Sequence, residues 1–168
     1  MRRGVRIGAD VGSVRVGISI CDPDGLLATP ETTFARDAAK DRDIEQVLAL
    51  VDERAAIEVI VGLPRSMSGD EGPAALAARS WATALRRRRP ELSVRMVDER
   101  LTTVDAHRVM RDAGISTRRS RSVIDSQAAA MILQVALDTE RTTGTPPGVL
   151  VGARKARHRG RGKKEDSA

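Results

Sequence analysis

Residues 5–21 read VRIGADVGSVRVGISIC. Two short apolar runs, 5–11 and 15–21, flank Gly12 and Ser13, a pattern that reads as a β-hairpin. Successive side chains on a strand point to opposite faces. Val5, Ile7, Ala9 and Val11 therefore share one face of the first strand, and Arg6, Gly8, Asp10 and Gly12 share the other. DPDG at 22–25 is a turn signal. A third strand follows over about 26–33, with Pro30 marking it as an edge strand, since proline cannot donate to a central ladder.

Downstream the period changes. Ile44, Val47, Leu48 and Val51 stand at helical spacing. IEVIVG at 57–62 is a β-branched run of strand length, and LPRSMSGDEG at 63–72 is a loop. Pro73 opens the next helix at its first turn, lined by Leu76, Ala77, Trp81 and Leu85. Arg86 to Arg89 close that helix, where cations complement the dipole or contact nucleic acid. Residues 93–98 read as a fifth strand. Thr102 or Thr103 caps a short helix ending before Gly114, and 115–122 is a loop carrying Arg118, Arg119 and Arg121. A last helix over about 123–141 presents Ile124, Ala128, Met131, Ile132 and Val135, and stops at Gly144, Pro146 and Pro147. GVLVG at 148–152 is a short strand or a packed extension. The order predicts an α/β fold: a five-stranded mixed sheet, three antiparallel strands then parallel ones, flanked by helices.

The chain has 168 residues, enough for one domain with a core of its own, and 40% of them are hydrophobic. No apolar run reaches the ~20 residues of a membrane span. The basic opening is interrupted by Asp10 and Arg15, which breaks any signal-peptide core and predicts a cytoplasmic protein without membrane contact. Net charge is +6, and 152–168 holds seven Lys and Arg against two acids. The expected division is a folded domain over 1–151 and a basic, disordered tail over 152–168. A basic tail suits nucleic acid or ribosomal particles, or serves as a solvated appendage. Phe34 and Trp81 are the only aromatic residues, fewer than a binder that stacks bases would show, so a nucleic acid would be held mainly by phosphate and shape.

Cys21, the single cysteine, excludes an internal disulfide and a multi-thiolate zinc site, and reads as a small core residue. An intermolecular disulfide through it is the minor alternative. No Ser-His-Asp spacing or P-loop is present, which leaves carboxylate chemistry. Asp10 stands among glycines on its strand face, open to a ligand or bonded to the following turn. Asp98 and Glu99 end the fifth strand, where α/β proteins place ligands. Adjacent acids face opposite ways, and the residues alone leave open which enters a site. Asp125 follows Ser122 by three residues, the spacing of a capping box. As a set, these oxygen donors suit hard cations such as Mg²⁺ or Mn²⁺. A pair of such ions ~4 Å apart can hydrolyse a phosphodiester.

GADVGSVRVGISICD (8–22), VGLPRSMSGDEGPAA (61–75), VDERLTTVDAHRVM (97–110) and VIDSQAAAMILQVAL (123–137) together resemble the YqgF/RuvX family over roughly residues 4–140. Its members are described as pre-16S rRNA nucleases and as Holliday junction resolvases. The resemblance implies an RNase H-like fold, with Asp10, Glu99 in preference to Asp98, and Asp125 as metal-binding acids. It also implies that Arg100, Thr102 and Thr103 position a phosphate or the carboxylates. Ser13, where Thr is commoner, keeps a hydroxyl beside the site. Arg65 adds a cation, and Arg118 and Arg119 complete the candidate substrate contacts.

The implied function is metal-dependent nuclease action in 5′-end processing of precursor 16S rRNA, with branched DNA as the alternative substrate. A junction resolvase needs a symmetric dimer, whereas an rRNA nuclease can be a monomer, so monomer and homodimer both stay open. Two further readings stand beside it. One is a non-catalytic ribosome-assembly factor. The other is an actin-like nucleotide-binding protein, which shares the D-x-G-[ST] turn but needs a second domain for which 168 residues leave no room.

Overall fold

The computed structural model describes residues 1–101 and 118–152. The chain begins with β1 (Arg6–Val11), β2 (Arg15–Cys21) and β3 (Ala28–Ala35), followed by α1 (Arg42–Arg54) and β4 (Glu58–Leu63). Next come α2 (Pro73–Arg88), β5 (Ser93–Asp98) and a 3-10 turn at Glu99–Leu101. The long helix α3 (Arg118–Thr143) and the short strand β6 (Val149–Leu150) complete the described elements. The expected short helix over 102–114 and the tail from 153 onward lie outside the described residues. No helix among the described residues is long and apolar enough to cross a membrane.

The strands form one sheet in the order β3-β2-β1-β4-β5-β6. β1 to β3 form an antiparallel meander, and β1, β4 and β5 run parallel. Among the described residues there are six strands rather than the expected five, because Val149 and Leu150 pair antiparallel with Met96 and Arg95. Of the two readings the sequence offered for 148–152, a short strand or a packed extension, the structure has the strand. β3 lies at an edge, as Pro30 implied.

Both faces of the central strand β1 are buried. Ile7, Ala9 and Val11 join Val59, Val61 and the inner sides of α1 and α2 in one core. Ile60 and Val97 join Ala128, Ile132, Leu133 and Leu137 of α3 in the other. Two helix faces differ in phase from the pattern. In α2 the buried residues are Ala75, Ala78, Trp81, Ala82 and Leu85, while Leu76 is 62% exposed. Alanines let the helix lie close to the sheet, and Leu76, expected inside, faces outward one position off. In α1, Leu50 is buried and Leu48 only partly so. The larger correction concerns α3, which begins at Arg118, so Arg118, Arg119 and Arg121 are helical rather than in a loop.

The arginine run at the end of α2 braces two helices. Arg88 pairs with Glu45 and Asp41 at 3.2 and 3.4 Å, Arg89 with Asp52 at 2.8 Å, and Arg86 donates to the Leu92 carbonyl. Such exposed pairs contribute little, because water screens them. Deeper in, Trp81 Nε1 donates to buried Asp43 at 2.9 Å, and Arg36 lies 3.3 Å from the same carboxylate.

A buried charge cluster ties the N-terminal segment to β4 and to the last turns of α3, where the parallel strands begin. Arg2 pairs with Glu58 at 2.8 Å and with Glu140 at 2.9 Å, Ser93 donates to Glu58, and Arg6 stands 3.4 Å from Glu140. Arg6, Glu58 and Glu140 are each at most 2% exposed. The Arg2 hydrogen bonds outweigh burial and, with the Arg6 charge, hold the Glu140 carboxyl at about 2, against an ordinary 4.5. Glu140→Gln should cost about 3–5 kcal/mol at neutral pH, because it leaves the Arg6 charge buried without its counter-ion. A carboxylate with a depressed folded pKa stabilises fully above its unfolded value and loses that contribution as pH falls through the folded one. The gap between wild-type and Glu140→Gln stability in urea melts should therefore narrow between pH 4.5 and about 2. A constant gap would show that the carboxylate charge is not what matters.

Candidate active site

At the other end of β1 the pairing register builds a row across the sheet. Asp10 lies opposite Gly17 of β2. On its other side Ala9 pairs with Val61, which sets Asp10 beside Gly62 of β4. Asp10 thus has a glycine on each side, on the face that α3 covers.

Those glycines make room for the two other acids. A Cβ on Gly17 would lie 2.0 Å from the Asp125 carbonyl oxygen, so α3 sits against the bare sheet backbone there. A Cβ on Gly62 would lie 2.5 Å from Glu99 Oε1 and 2.6 Å from Ile132 Cδ1. Asp125 is therefore placed over one flank of Asp10 and Glu99 over the other. All three are buried, at 2%, 1% and 2% exposure for Asp10, Glu99 and Asp125.

Asp98 and Glu99 separate as adjacent strand positions should, even though the strand ends between them. Met96 belongs to the core under α1 and α2, and Val97 to the core under α3. Glu99 takes the Val97 side and turns in over Gly62. Asp98 stays partly exposed, with Arg100 at 2.6 Å and Arg65 at 3.8 Å. The Arg100 hydrogen bonds hold its carboxyl below the usual range.

Asp125 does not cap its helix. α3 starts seven residues earlier, and the Ser122 carbonyl accepts a hydrogen bond from Thr33 Oγ1 at 2.7 Å. Instead Asp125 Oδ2 receives Arg15 Nε at 2.8 Å. Arg15 was not among the residues singled out in the sequence. Its signal was there in the alternation, which puts it on the face of Gly17 and Ser19.

The remaining candidates divide. Ser13 is exposed in the hairpin turn and lines a cavity of about 670 Å³ with Gly12, Arg15, Pro73, Ala77, Arg121 and Asp125. Arg65 pairs with Glu71 at 3.3 Å as well as with Asp98. Arg118 and Arg119 open α3, and Thr102 and Thr103 lie outside the described residues. Cys21 is buried and accepts a hydrogen bond from the Arg6 backbone N–H, and burial pushes its thiol pKa up. A buried, protonated thiol is a poor partner for an intermolecular disulfide.

As a donor set the three acids are all hard oxygens, and the glycines on either side of Asp10 let Asp125 and Glu99 approach it closely. As they stand, no group of three His, Cys, Asp or Glu side chains among the described residues is set to hold a metal ion.

The family model described as RuvX, Holliday junction resolvase, matches residues 4–139. The chain belongs to the RuvX family. A Kineococcus radiotolerans protein named "Putative pre-16S rRNA nuclease" is 50% identical over 166 residues, covering 96% of this chain and 88% of its own length. A Streptomyces avermitilis protein of the same name is 50% identical over 150 residues, covering 88% of this chain and 94% of its own length. Among solved structures, Thermus thermophilus RuvC in complex with a Holliday junction substrate superposes with a TM-score of 0.52 at 15% identity. That match covers 85% of this chain and 99% of the RuvC chain. It establishes the RNase H-like fold that the sequence motifs implied. Nuclease is the enzyme class of this RuvX-family chain.

Proposed function

We propose that this nuclease depends on a divalent cation, Mg²⁺ or Mn²⁺, and acts in 5′-end processing of precursor 16S rRNA in the cytoplasm. The observation that carries the metal reading is the glycine-flanked row that places buried Asp10, Glu99 and Asp125 together on one face. Those acids would hold the cation, which when bound activates water and stabilises the charge developing on a phosphodiester. The RNA reading rests on the names of relatives that are 50% identical over most of the chain. Asp10 would supply an oxygen fixed by the sheet and Glu99 one from the 3-10 turn that follows β5, while Asp125 rides on α3. Ser13, Arg65, Arg100, Thr102, Thr103, Arg118 and Arg119 are assigned to substrate contact, and the basic segment 152–168 to added affinity for RNA or ribosomal particles.

The family description favours a second reading, resolution of branched DNA by a homodimer. Incubating the full chain with a precursor 16S 5′ segment and, separately, with a four-way DNA junction discriminates the two. Cutting of the RNA that requires Mg²⁺ or Mn²⁺ is the expected result. Paired symmetric nicks in the junction, with the RNA untouched, would replace it with the resolvase reading. Binding of RNA without cleavage under any metal condition would identify an assembly factor instead.

A further inference from the structure

The Arg15 side chain makes one polar contact among the described residues, and it is with an acid of the site. Its Nε donates to Asp125 Oδ2 at 2.8 Å, and neither terminal amine of the guanidinium takes part. Guanidinium presents five N–H donors in a planar fork suited to phosphate, so most of its capacity is unused in this pair. The Arg15 side chain is 23% exposed and the Asp125 side chain 3%, so the arginine reaches in from the rim.

That rim is the wall of the cavity of about 670 Å³, within the range of small-molecule sites. Its walls favour an anion. Pro73 and Ala74 line it from the first turn of α2. That helix has no side-chain cap and no acid in its first turn, and Glu71, just before it, is paired with Arg65 and Arg79. Exposed Arg121 adds a second cation. Backbone geometry fixes where Arg15 pivots, because the Gly12 N–H donates to the Arg15 carbonyl at 2.8 Å across the turn.

We propose that Arg15 is a positioning residue exchanged between two anions: it closes on Asp125 before a divalent cation takes that carboxylate, and afterwards it grips a nucleic-acid phosphate in the adjoining cavity. The inference rests on the metal-dependent reading above. Arg15 supplies counter-charge to Asp125 until the cation arrives. Cation and phosphate then help each other bind, because each favours the same position of one side chain. By linkage the effect is reciprocal: phosphate tightens the cation by the factor by which the cation tightens phosphate.

The test is calorimetric titration of the full chain with Mn²⁺, with and without adenosine 5′-monophosphate, which carries the phosphate but no phosphodiester to cleave. In wild type the nucleotide should tighten Mn²⁺ binding at least about fivefold, the low end of allosteric couplings. In Arg15→Gln, Mn²⁺ should bind more tightly than to wild type without nucleotide, since its competitor is gone, and the nucleotide should no longer shift it. Arg15→Lys keeps the charge without the fork and should show a smaller shift than wild type. That variant decides the matter if circular dichroism finds Arg15→Gln unfolded. A Mn²⁺ constant unchanged in Arg15→Gln, or a nucleotide shift kept in full by either variant, overturns the exchange. A wild type that binds no Mn²⁺ under either condition overturns the metal reading itself, and this inference with it.

Discussion

Asp10→Asn should abolish cleavage and leave the fold standing. Asp10 sits on the central strand, with Gly17 on one side, Gly62 on the other and α3 above. Asparagine has nearly the same shape, so the packing of β1 against its neighbours survives. What changes is the charge. A hard cation prefers anionic oxygen, and the amide offers only a neutral carbonyl. Catalytic metals contribute several kcal/mol of transition-state stabilisation. With each 1.36 kcal/mol worth tenfold in rate, loss of a ligand should lower turnover by about 10³-fold.

Removing one carboxylate from a buried group of three also relieves like-charge repulsion. The thermal midpoint should therefore hold steady or rise. Single-turnover cleavage of the precursor 16S segment and a thermal melt on the same preparation check both halves. Wild-type cleavage rates would remove Asp10 from the mechanism. A collapsed melt would show instead that Asp10 serves the hairpin turn.

The parts of this site that the sequence disclosed are those set by period two. Alternation along 5–11 separated Asp10 from Ile7 and Ala9, and the structure puts the latter pair in the core under α1 and α2. It also placed the fifth strand at 93–98, where β5 lies. Helical readings fared less evenly. Alanines carry little hydrophobic weight, so the single large Leu76 drew the phase of α2 one residue away from Ala75 and Ala78. Ser122 and Asp125 have capping-box spacing, but the helix extends back to Arg118, and the Asp125 carboxylate accepts from Arg15 instead. Long-range ion pairs have no local signature. Glu58 and Glu140 look like surface acids in sequence, yet both are buried, with Arg2 as a shared partner. Asp98 and Glu99 were not separable by residue type. Glu99 is distinguished by the space over Gly62, a residue 37 positions away in the chain.

Gly17→Ala should be among the most damaging single-methyl substitutions the chain can carry. The added Cβ would lie 2.0 Å from the Asp125 carbonyl oxygen, 2.2 Å from its carbon and 2.9 Å from the Ser126 nitrogen. All three are backbone atoms of a helix, so no side chain can turn aside. Local relief is blocked on both sides of the contact. Thr33 fixes the Ser122 carbonyl at 2.7 Å, and a Cβ on Gly8 would lie 2.8 Å from the Ala129 carbonyl, so the next turn of α3 is equally close to the sheet. The helix must lift as a body, opening the core formed by Ala128, Ile132 and Leu133. Overpacking costs typically about 1–3 kcal/mol and sometimes more, and a rigid backbone contact puts Gly17→Ala at or above about 3 kcal/mol. For a chain of this size that is a fall of roughly 6–12 °C in thermal midpoint. Cleavage should fall too, because Asp125 moves with the helix. Gly62→Ala supplies the contrast: its Cβ would meet Glu99 Oε1 and Ile132 Cδ1, side-chain ends that can swing away, so its stability loss should be the smaller. Urea melts of the two variants beside wild type measure the difference. Equal stabilities for Gly17→Ala and wild type would mean that α3 does not rest on the bare backbone of β2, and the placement of Asp125 over Asp10 would go with it.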